Sequence, residues 1–221
     1  MSAKNVKSCS VCESYLETQI GVLKISHCSK GVHSIQIGEK ENILLSNSCN
    51  DLKRGKKAKC LLNTLNWLKD YFDGDILQKP PAVCPLVMQS KGAFTQQVWS
   101  TLQTDIPPGH TVTYGALAQL SGRPGAARAV GTAMRRNPAP LVVPCHRVVK
   151  GGGALGNYSG GGGAALKAWL LKHEGAEEPG TACDALSPRG EGRRCPGDLL
   201  GGQRCYVEGV ASEACGADFN K

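Results

Sequence analysis

Hydrophobic and polar positions alternate over residues 15–37, and glycines such as Gly21 and Gly38 interrupt the alternation. A period of two is typical of strands with one buried face, and glycine favours turns between them. The pattern therefore predicts two or three antiparallel strands. Over residues 60–72 the spacing changes to that of an amphipathic helix, which is predicted to end near Gly74.

A proline-rich connector at residues 78–85 separates this region from a chain with a different pattern. Prolines interrupt helices and strands, so a domain boundary is expected there. We predict an N-terminal α/β domain over residues 1–85 and a C-terminal domain over residues 86–176. Residues 177–221 are rich in glycine, alanine, proline, serine and charge without periodicity, which predicts a disordered tail. Its four cysteines are interpreted as bystanders or, alternatively, as a loose zinc site.

The C-terminal domain is predicted to be mostly helical. Its first helix has apolar residues four positions apart, and it is expected to be capped by Thr95 and to end before residues 107–109. A last helix is expected from the apolar residues at 166–170, and it ends at Gly175.

Two shorter helices between them have the shape of a helix-turn-helix. The first covers residues 114–120, with Thr113 as its cap. Pro124 is expected to open the second, because a proline at the first helical position removes no hydrogen bond. That helix continues to about Arg135, and small residues surround Arg128 within it. They indicate either tight helix packing or close approach of the backbone to a narrow surface, such as a DNA groove into which Arg128 projects.

The composition is that of a globular protein, with 41% hydrophobic and 20% charged residues among 221. No uncharged apolar run is long enough to span a membrane, and the polar first residues lack the apolar core of a signal peptide. We therefore expect an intracellular protein that does not contact a membrane. Eleven scattered cysteines suggest metal ligands or chemistry rather than a disulfide framework. The net charge is +8, and residues 94–176 carry eight basic side chains against two acidic ones, which suits a surface that meets phosphates.

One short segment, residues 144–148, carries candidate chemistry. It reads Pro-Cys-His-Arg-Val and leads into a glycine-rich stretch, so Cys145 lies beside His146 on a predicted tight turn. A thiol next to an imidazole indicates a reactive nucleophile. The alternative is a buried structural cysteine beside a surface histidine, since free cysteines are usually inert core residues.

Four motifs occur in order along the chain: Ala-Ala-Arg-Ala-Val-Gly at residues 126–131, Pro-Cys-His-Arg-Val at 144–148, Asn-Tyr-Ser-Gly at 157–160, and Trp-Leu-Leu-Lys-His-Glu-Gly at 169–175. Together they resemble the O6-alkylguanine-DNA alkyltransferases of the animal type, also called methylated-DNA–protein-cysteine methyltransferases. The likeness is close over residues 94–175 and looser before them. It implies an α+β fold. A small ribonuclease H-like domain with an antiparallel sheet and a helix would precede a mostly helical, winged helix-turn-helix-like domain that carries the acceptor cysteine.

The resemblance implies direct-reversal DNA repair. Cys145 would accept an alkyl group from O6-alkylguanine, and less well from O4-alkylthymine, in a single-turnover suicide reaction that needs no cofactor. His146 would take the thiol proton through a water, Glu174 would orient His146, and Tyr114 would donate a hydrogen bond to the leaving guanine oxygen. Without the resemblance, Tyr114 is interpreted as an aromatic residue at the edge of the core and Glu174 as an exposed charge at a helix end.

The implied partner is double-stranded DNA containing O6-alkylguanine. A monomer would bind it in the minor groove, rotate the damaged base out of the stack and fill the gap with Arg128. The implied DNA-binding residues are Thr95, Tyr114, Arg123, Ala126, Ala127, Arg128, Gly131 and Arg135. The implied substrate pocket consists of Met134, Asn137, Pro140, Val148, Tyr158 and Ser159. A nuclear location is expected, and the basic run at residues 53–57 is either a targeting segment or a solvated loop.

The resemblance also implies a structural zinc held by Cys9, Cys28, His33 and Cys84. Cys84 stands where animal relatives have a histidine, and three cysteines with one histidine remain a sound tetrahedral ligand set. Cys12 is a competing ligand. A second departure is the run of four glycines at residues 160–163, which is two residues longer than in the family and is expected to loosen the loop beside the pocket.

Three other classes of function compete with repair. Relatives that lack the acceptor cysteine bind alkylated bases without reacting, and the presence of Cys145 argues against this class. Regulatory relatives carry an additional DNA-reading module, and none is visible in the sequence. A cysteine hydrolase is the remaining enzymatic alternative, and it would show multiple turnovers.

Overall fold

A three-stranded antiparallel sheet opens the fold. It contains β1 (Cys12–Thr18), β2 (Gly21–Cys28) and β3 (Gly31–Gly38), in that spatial order. Leu23 and Ile25 of the central strand are fully buried two positions apart, as the alternation requires. The predicted antiparallel strands are thus confirmed. The computed structural model describes residues 9–38, 56–156, 158, 160 and 162–176.

Helix α1 (Lys56–Asp73) packs against β2 and β3. It confirms the helix predicted over residues 60–72 and begins earlier than predicted, at Lys56. Leu61, Leu68 and Phe72 are buried, so the apolar stripe read from the sequence is the face that meets the sheet and the rest of the core.

The proline-rich segment pairs with the sheet. Val83 forms a parallel bridge with Val32 of β3, and a short helix, α2 (Pro85–Gln89), starts at a proline directly afterwards. Side chains on both sides of this segment share one hydrophobic core. The domain boundary near residue 85 stays a prediction.

Four helices and a two-residue parallel ladder follow in the described part of residues 93–176. They are α3 (Ala93–Asp105), β4 (Val112–Thr113), α4 (Tyr114–Leu120), α5 (Ala127–Arg135), β5 (Val148–Val149) and α6 (Gly163–His173). In the ladder, Val112 lies opposite Val148 and Thr113 lies opposite Val149. The ladder therefore fixes the start of α4 close to the turn that carries Cys145.

Two predicted helix starts are wrong. Thr95 does not cap α3, because the helix begins two residues earlier and has Gly92 as its N-cap. Pro124 does not open α5. Gly125 adopts a left-handed conformation, with φ of 81°, and α5 begins only after it.

Hydrogen bonds fix the helices of the C-terminal part. The predicted cap of α4 is confirmed, since Thr113 Oγ1 accepts a hydrogen bond from the N–H of Ala116 at 3.2 Å. Trp99 Nε1–H of α3 donates to the carbonyl of Ala133 of α5 at 3.1 Å. The N–H of Ile35 donates to the carbonyl of Pro138 at 2.9 Å, so strand β3 also contacts the segment after α5.

Some sequence predictions fall on parts of the chain that the structure does not describe. The tail at residues 177–221, with its four cysteines, lies outside the described residues, and so do the side chains of the basic run at residues 53–57. Within the described ranges, no helix is both long enough and apolar enough to cross a membrane.

Candidate active site and metal-ligand cluster

Cys145, His146 and Arg147 form a single 3₁₀ turn just before β5. The N–H of Arg147 donates to the carbonyl of Pro144 at 3.0 Å and closes the turn. All three side chains are buried, with 5% of Cys145, none of His146 and 7% of Arg147 exposed. A buried imidazole and a buried guanidinium require polar partners inside the protein.

The chain enters this turn through a strained segment. Leu141 has φ of 72°, a left-handed conformation that a residue other than glycine rarely adopts. Two side chains hold the segment: Asn137 Nδ2–H donates to the carbonyl of Val143 at 2.8 Å, and Gln103 Nε2–H donates to the carbonyl of Val142 at 3.0 Å. The entry to the turn is thereby fixed relative to α3 and the end of α5.

The carboxylate of Glu174, directly after α6, is the centre of a buried hydrogen-bond network. Its Oε1 lies 2.8 Å from His146 Nε2, and the hydroxyl of Tyr71 in α1 donates to the same oxygen at 2.8 Å. Arg147 donates from Nε to Oε2 and from Nη2 to Oε1, both at 2.9 Å, and from Nη1 to the carbonyl of Ile106 at 2.6 Å. Two parallel bonds give such an arginine–carboxylate pair its strength. The sequence assigned no role to Tyr71 or Arg147, because no local pattern reports these contacts.

This network keeps Glu174 ionised. Burial alone would raise the pKa of Glu174, but His146 and Arg147 outweigh burial and hold it well below its usual range. An ionised carboxylate only accepts hydrogen bonds, so His146 Nε2 must carry the hydrogen in their contact. His146 Nδ1 is then an acceptor, and it is buried without a hydrogen-bond partner among the described residues. Burial lowers the pKa of His146, although Glu174 opposes this, so the imidazole is neutral and able to take a proton at Nδ1.

The thiol of Cys145 is protonated in this arrangement. Burial raises its pKa to about 11, and a hydrogen bond from the side chain of Asn137 and the charge of Lys167 offset burial only in part. A nucleophilic thiolate therefore requires a base that takes the proton. Nδ1 of the adjacent His146 is the base that the geometry offers.

Lys167 of α6 is a site residue that the sequence analysis did not identify. Its side chain is fully buried, and Nζ donates to the carbonyls of Val148 and Leu155 at 2.5 Å each. Burial lowers the pKa of Lys167 to about 8, against the opposing effect of Cys145. The sequence did contain a signal, because Lys167 precedes the buried Leu170 by three positions and so shares its helix face.

Two tyrosines predicted for the site lie near it. Tyr114 is half-buried at the start of α4 and packs against Gly131 of α5, where a Cβ would lie 3.9 Å from the Tyr114 ring. Burial, with a smaller effect of Cys145, raises the pKa of Tyr114. Tyr158 is buried with its ring edge toward His146, 6.4 Å between ring centroids, and burial raises its pKa well above the usual value. Both phenols are therefore protonated and able to donate.

The remaining residues predicted for the pocket are mostly buried. Met134 and Val148 belong to the same hydrophobic cluster as Cys145. Pro140 is buried in the strained segment before the turn. Ser159 lies outside the described residues.

The glycine run at residues 160–163 leads into α6. Gly162 and Gly163 adopt left-handed conformations, with φ of 63° and 61°. A Cβ at Gly160 would lie 2.5 Å from the ring of Tyr158. Glycine is therefore favoured at these three positions. Gly161 lies outside the described residues, and the expected loosening of this loop stays a prediction.

Exposed arginines lie on and beside α5. Arg128 and Arg135 are seven positions apart on its exposed face. Arg123 places its guanidinium 5.0 Å from the ring centroid of Phe94. The predicted DNA-binding residues that are half-buried are Thr95, Tyr114, Ala126, Ala127 and Gly131. This surface therefore combines small side chains with projecting positive charge.

Four side chains from separate segments form a ligand cluster. The ligand atoms of Cys9, Cys28, His33 and Cys84 all lie within 4.8 Å of one another. The sulfur of Cys84 is 3.8 Å from that of Cys9 and 3.7 Å from that of Cys28. Zinc–sulfur bonds of about 2.3 Å at tetrahedral angles place two sulfurs roughly 3.8 Å apart, so the cluster fits a tetrahedral metal ion. His33 Nε2 is buried and has no hydrogen-bond partner among the described residues, which suits a ligand atom.

Backbone pairing with β3 brings Cys84 to this cluster. The N–H of Val32 donates to the carbonyl of Ala82 at 2.9 Å, and the N–H of Cys84 donates to the carbonyl of Val32 at 2.8 Å. Gly31 permits this approach, because a Cβ there would lie 2.4 Å from the Ala82 carbonyl oxygen. Among the described side chains, Cys12 is not a member of the cluster.

Residues 93–176 match the family described as 6-O-methylguanine DNA methyltransferase, DNA binding domain. The methylated-DNA–protein-cysteine methyltransferase of Mus musculus is 38% identical over 179 residues, which cover 76% of this chain and 83% of the mouse protein. The crystal structure of the Mycobacterium tuberculosis O6-methylguanine methyltransferase is similar with a TM-score of 0.57 and 28% identity, covering 75% of this chain and 93% of that chain. The Mycobacterium tuberculosis OGT in complex with DNA is similar with a TM-score of 0.57 and 30% identity, covering 74% of this chain and 92% of that chain.

Proposed function

Because this chain belongs to the methylated-DNA–protein-cysteine methyltransferase family, we propose that it repairs DNA by direct reversal, moving an alkyl group from O6-alkylguanine onto its own Cys145. The observation that carries this conclusion is the buried arrangement in which Glu174 Oε1 lies 2.8 Å from His146 Nε2, next to the thiol in sequence. The transfer needs no cofactor, because one sulfur atom is both the nucleophile and the final acceptor. O4-alkylthymine is a second and poorer substrate in this proposal.

The reaction begins with the transfer of the Cys145 proton to His146 Nδ1 through a water molecule. Glu174 stabilises the imidazolium that forms. The thiolate attacks the alkyl carbon, the carbon–oxygen bond breaks, and O6 leaves with the electron pair. Tyr114 stabilises this oxygen with a hydrogen bond. The proton that His146 took from the thiol then passes to the guanine, which restores the neutral nucleobase. A sulfur–carbon bond thus replaces an oxygen–carbon bond, and each molecule reacts once.

Intact-mass measurement tests this function. Incubated with a short duplex containing one O6-methylguanine, the protein is expected to gain one methyl group per chain and to restore guanine. The gain stops at one equivalent, because the thioether leaves no thiol for a second reaction. A duplex with unmodified guanine is the control. An unchanged mass with an intact lesion contradicts the proposal, binding without transfer identifies a non-catalytic binder, and sustained turnover contradicts self-inactivation.

For DNA binding, we propose that a monomer holds double-stranded DNA in the minor groove. Helices α4 and α5 would form the helix-turn-helix of a winged domain, and the sheet with α1 would form a ribonuclease H-like domain. The small residues around exposed Arg128 support this arrangement, since they allow the helix to approach a narrow groove. A nuclear location is proposed because the substrate of an animal-type repair protein is nuclear DNA.

Replacing Arg128 with alanine is expected to slow repair of O6-methylguanine in duplex DNA by about 30-fold, and to leave reaction with free O6-benzylguanine almost unchanged. Arg128 would fill the gap left by the extruded base, and about 2 kcal/mol of lost support corresponds to this factor. Single-turnover rates with both substrates provide the measurement. Arg135→Ala is the matched control, because loss of a phosphate contact weakens binding without slowing the reaction at saturating DNA. Equal losses with both substrates would exclude a role of Arg128 in extrusion.

For the metal-ligand cluster, we propose that Cys9, Cys28, His33 and Cys84 hold a structural zinc ion. Thiolate and imidazole are preferred zinc ligands, and the sulfur spacing supports tetrahedral coordination. The ion would cross-link β2, β3 and the start of α2. It would supply stability and take no part in alkyl transfer.

Cobalt(II) titration tests this metal site. One equivalent is expected to produce the thiolate-to-cobalt absorption of a tetrahedral site, and zinc is expected to displace it. Cys84→Ala removes a ligand, so it should weaken metal binding by more than about 100-fold. Loss of a residue that only hydrogen-bonds to a metal ligand lowers metal affinity by up to about that factor. Cys12→Ala, the matched control, should bind cobalt as the unmodified protein does. The same affinity in Cys84→Ala and the unmodified protein would contradict the assignment.

A further inference from the structure

A hydroxyl group of the N-terminal part of the chain contacts Glu174, the carboxylate that holds His146 and Arg147 of the reactive turn. Tyr71 lies in the last turn of α1 and is 1% exposed. Its hydroxyl donates to Glu174 Oε1 at 2.8 Å, across 103 residues of sequence. No other element of the N-terminal part places a side chain on this carboxylate among the described residues.

The ring of Tyr71 is held on several sides. It stacks on Trp67 with 5.6 Å between centroids, meets Phe72 edge-on at 5.3 Å and lies 5.2 Å from the ring of His173. His173 Nε2 lies 2.7 Å from the Tyr71 carbonyl, and since a carbonyl only accepts, this nitrogen carries the hydrogen. The hydroxyl therefore has a fixed position relative to Glu174.

Tyr71 and His146 donate to the same oxygen atom. Oε1 of Glu174 accepts from Tyr71, His146 and Arg147, whereas Oε2, as far as the described residues go, accepts only from Arg147. A hydrogen bond donated to an oxygen draws charge away from that atom, so it weakens the attraction of Oε1 for the His146 proton.

We propose that Tyr71 is a positioning residue for alkyl transfer: it holds Glu174 Oε1 against His146 and limits how strongly His146 binds a proton. This inference rests on the proposed alkyl transfer. His146 must release to the substrate side the proton that it takes from Cys145, so an imidazole that binds the proton too strongly is a poor relay. The docking of α1 thereby sets the basicity of the group that activates the thiol.

Other titratable groups also face this relay. Cys145 and the guanidinium of Arg147 lie in the same turn as His146. Lys167 and His173 lie in α6, and Glu174 follows it directly. The phenol of Tyr158 meets the His146 ring edge-on. Burial lowers the pKa of His146, Glu174 raises it, and Arg147 and Lys167 lower it further. Burial and the charge of Glu174 raise the pKa of Tyr71 far above its usual value, so Tyr71 is a neutral donor throughout the accessible pH range.

Tyr71→Phe tests the proposal, because it removes the hydroxyl and keeps the ring contacts. With one donor fewer, Oε1 attracts the His146 proton more strongly, and the pKa of His146 is expected to rise by about half a unit to one unit. Since only the neutral imidazole accepts the thiol proton, the acidic limb of the pH–rate profile should move up by the same amount. Rates on that limb then fall about threefold to tenfold. Single-turnover alkyl transfer and NMR titration of the His146 ring provide the two readouts, and Tyr15→Phe on β1 is the matched control.

A double-mutant comparison separates positioning from general damage. In a Glu174→Gln background, Tyr71→Phe is expected to leave the His146 titration unchanged, because the connecting carboxylate is gone. A uniform loss of rate at every pH with an unshifted His146 titration would overturn the proposal, and so would unchanged profiles. If the unmodified protein gains no alkyl mass, the proposed function fails. The NMR titration of His146 still decides the role of Tyr71 in that case.

Discussion

Replacing Cys145 with alanine is expected to abolish alkyl transfer completely while leaving DNA binding and folding intact. The sulfur is the atom that forms the new bond, and neither of the other two side chains of the turn, His146 and Arg147, is a comparable nucleophile. The thiol is neutral at neutral pH because burial raises its pKa to about 11, so the substitution removes no charge from the core. The stability change should be about 1 kcal/mol, as for other small buried truncations.

Intact mass after incubation with methylated duplex, together with an electrophoretic binding assay, measures this outcome. Cys60→Ala is the matched control, because Cys60 is another free cysteine outside the reactive turn, and it should gain one methyl group as the unmodified protein does. Methyl transfer to a different residue in Cys145→Ala, or loss of DNA binding together with loss of structure, would refute the expected result.

Replacing Arg147 with methionine is expected to destabilise the fold by about 3–5 kcal/mol, because it leaves the buried carboxylate of Glu174 without its guanidinium. Native domains are stable by only about 5–15 kcal/mol, so this is a large fraction of the total. Urea unfolding at neutral pH measures the loss. Arg135→Met, at an exposed arginine of α5, is the control and should stay within about 0.5 kcal/mol.

Acid titration of stability gives a second view of the same pair. The pKa of Glu174 is lower in the folded protein than in the unfolded chain, where a glutamate has a value of about 4.3. The stabilisation from ionised Glu174 is therefore fully present above the pKa of the unfolded chain. It is lost as pH falls through the lower pKa of the folded protein. In Arg147→Met the folded pKa moves up toward the unfolded one, so acid should remove less stability than it removes from the unmodified protein. An unchanged urea midpoint and an unchanged acid dependence would show that the pair contributes nothing.

The resting state of the site explains why the thiol needs its neighbours. A buried thiol and a buried neutral imidazole carry no net charge, so the unreacted protein avoids the desolvation penalty of a thiolate–imidazolium pair in its core. Proton transfer creates a thiolate beside Lys167 and an imidazolium beside Glu174, and each new charge then has an opposite charge close by. Reactivity therefore depends on groups that hold charge before the substrate arrives.

Much of the secondary structure could be predicted from local patterns. Period-two alternation predicted two or three strands, of which the sheet has three, and helical spacing predicted α1, because each pattern reflects which face of an element is buried. The starts of α3 and α5 were predicted wrongly. Gly92 caps α3 without a side chain, and the left-handed conformation of Gly125 delays the start of α5. The spacing of apolar residues does not predict either of these backbone conformations.

The sequence by itself determined the strands, most helices, the candidate Cys145–His146 pair and the family likeness, since these depend on neighbouring residues or on short motifs. The tertiary structure alone decided that Tyr71 and Arg147 share Glu174 and that Lys167 is buried beside the turn. It also brought Cys84 within ligand distance of Cys28, by pairing its segment with β3. The physical reason is that burial and long-range contacts set these roles, and both depend on how elements far apart in the chain pack together.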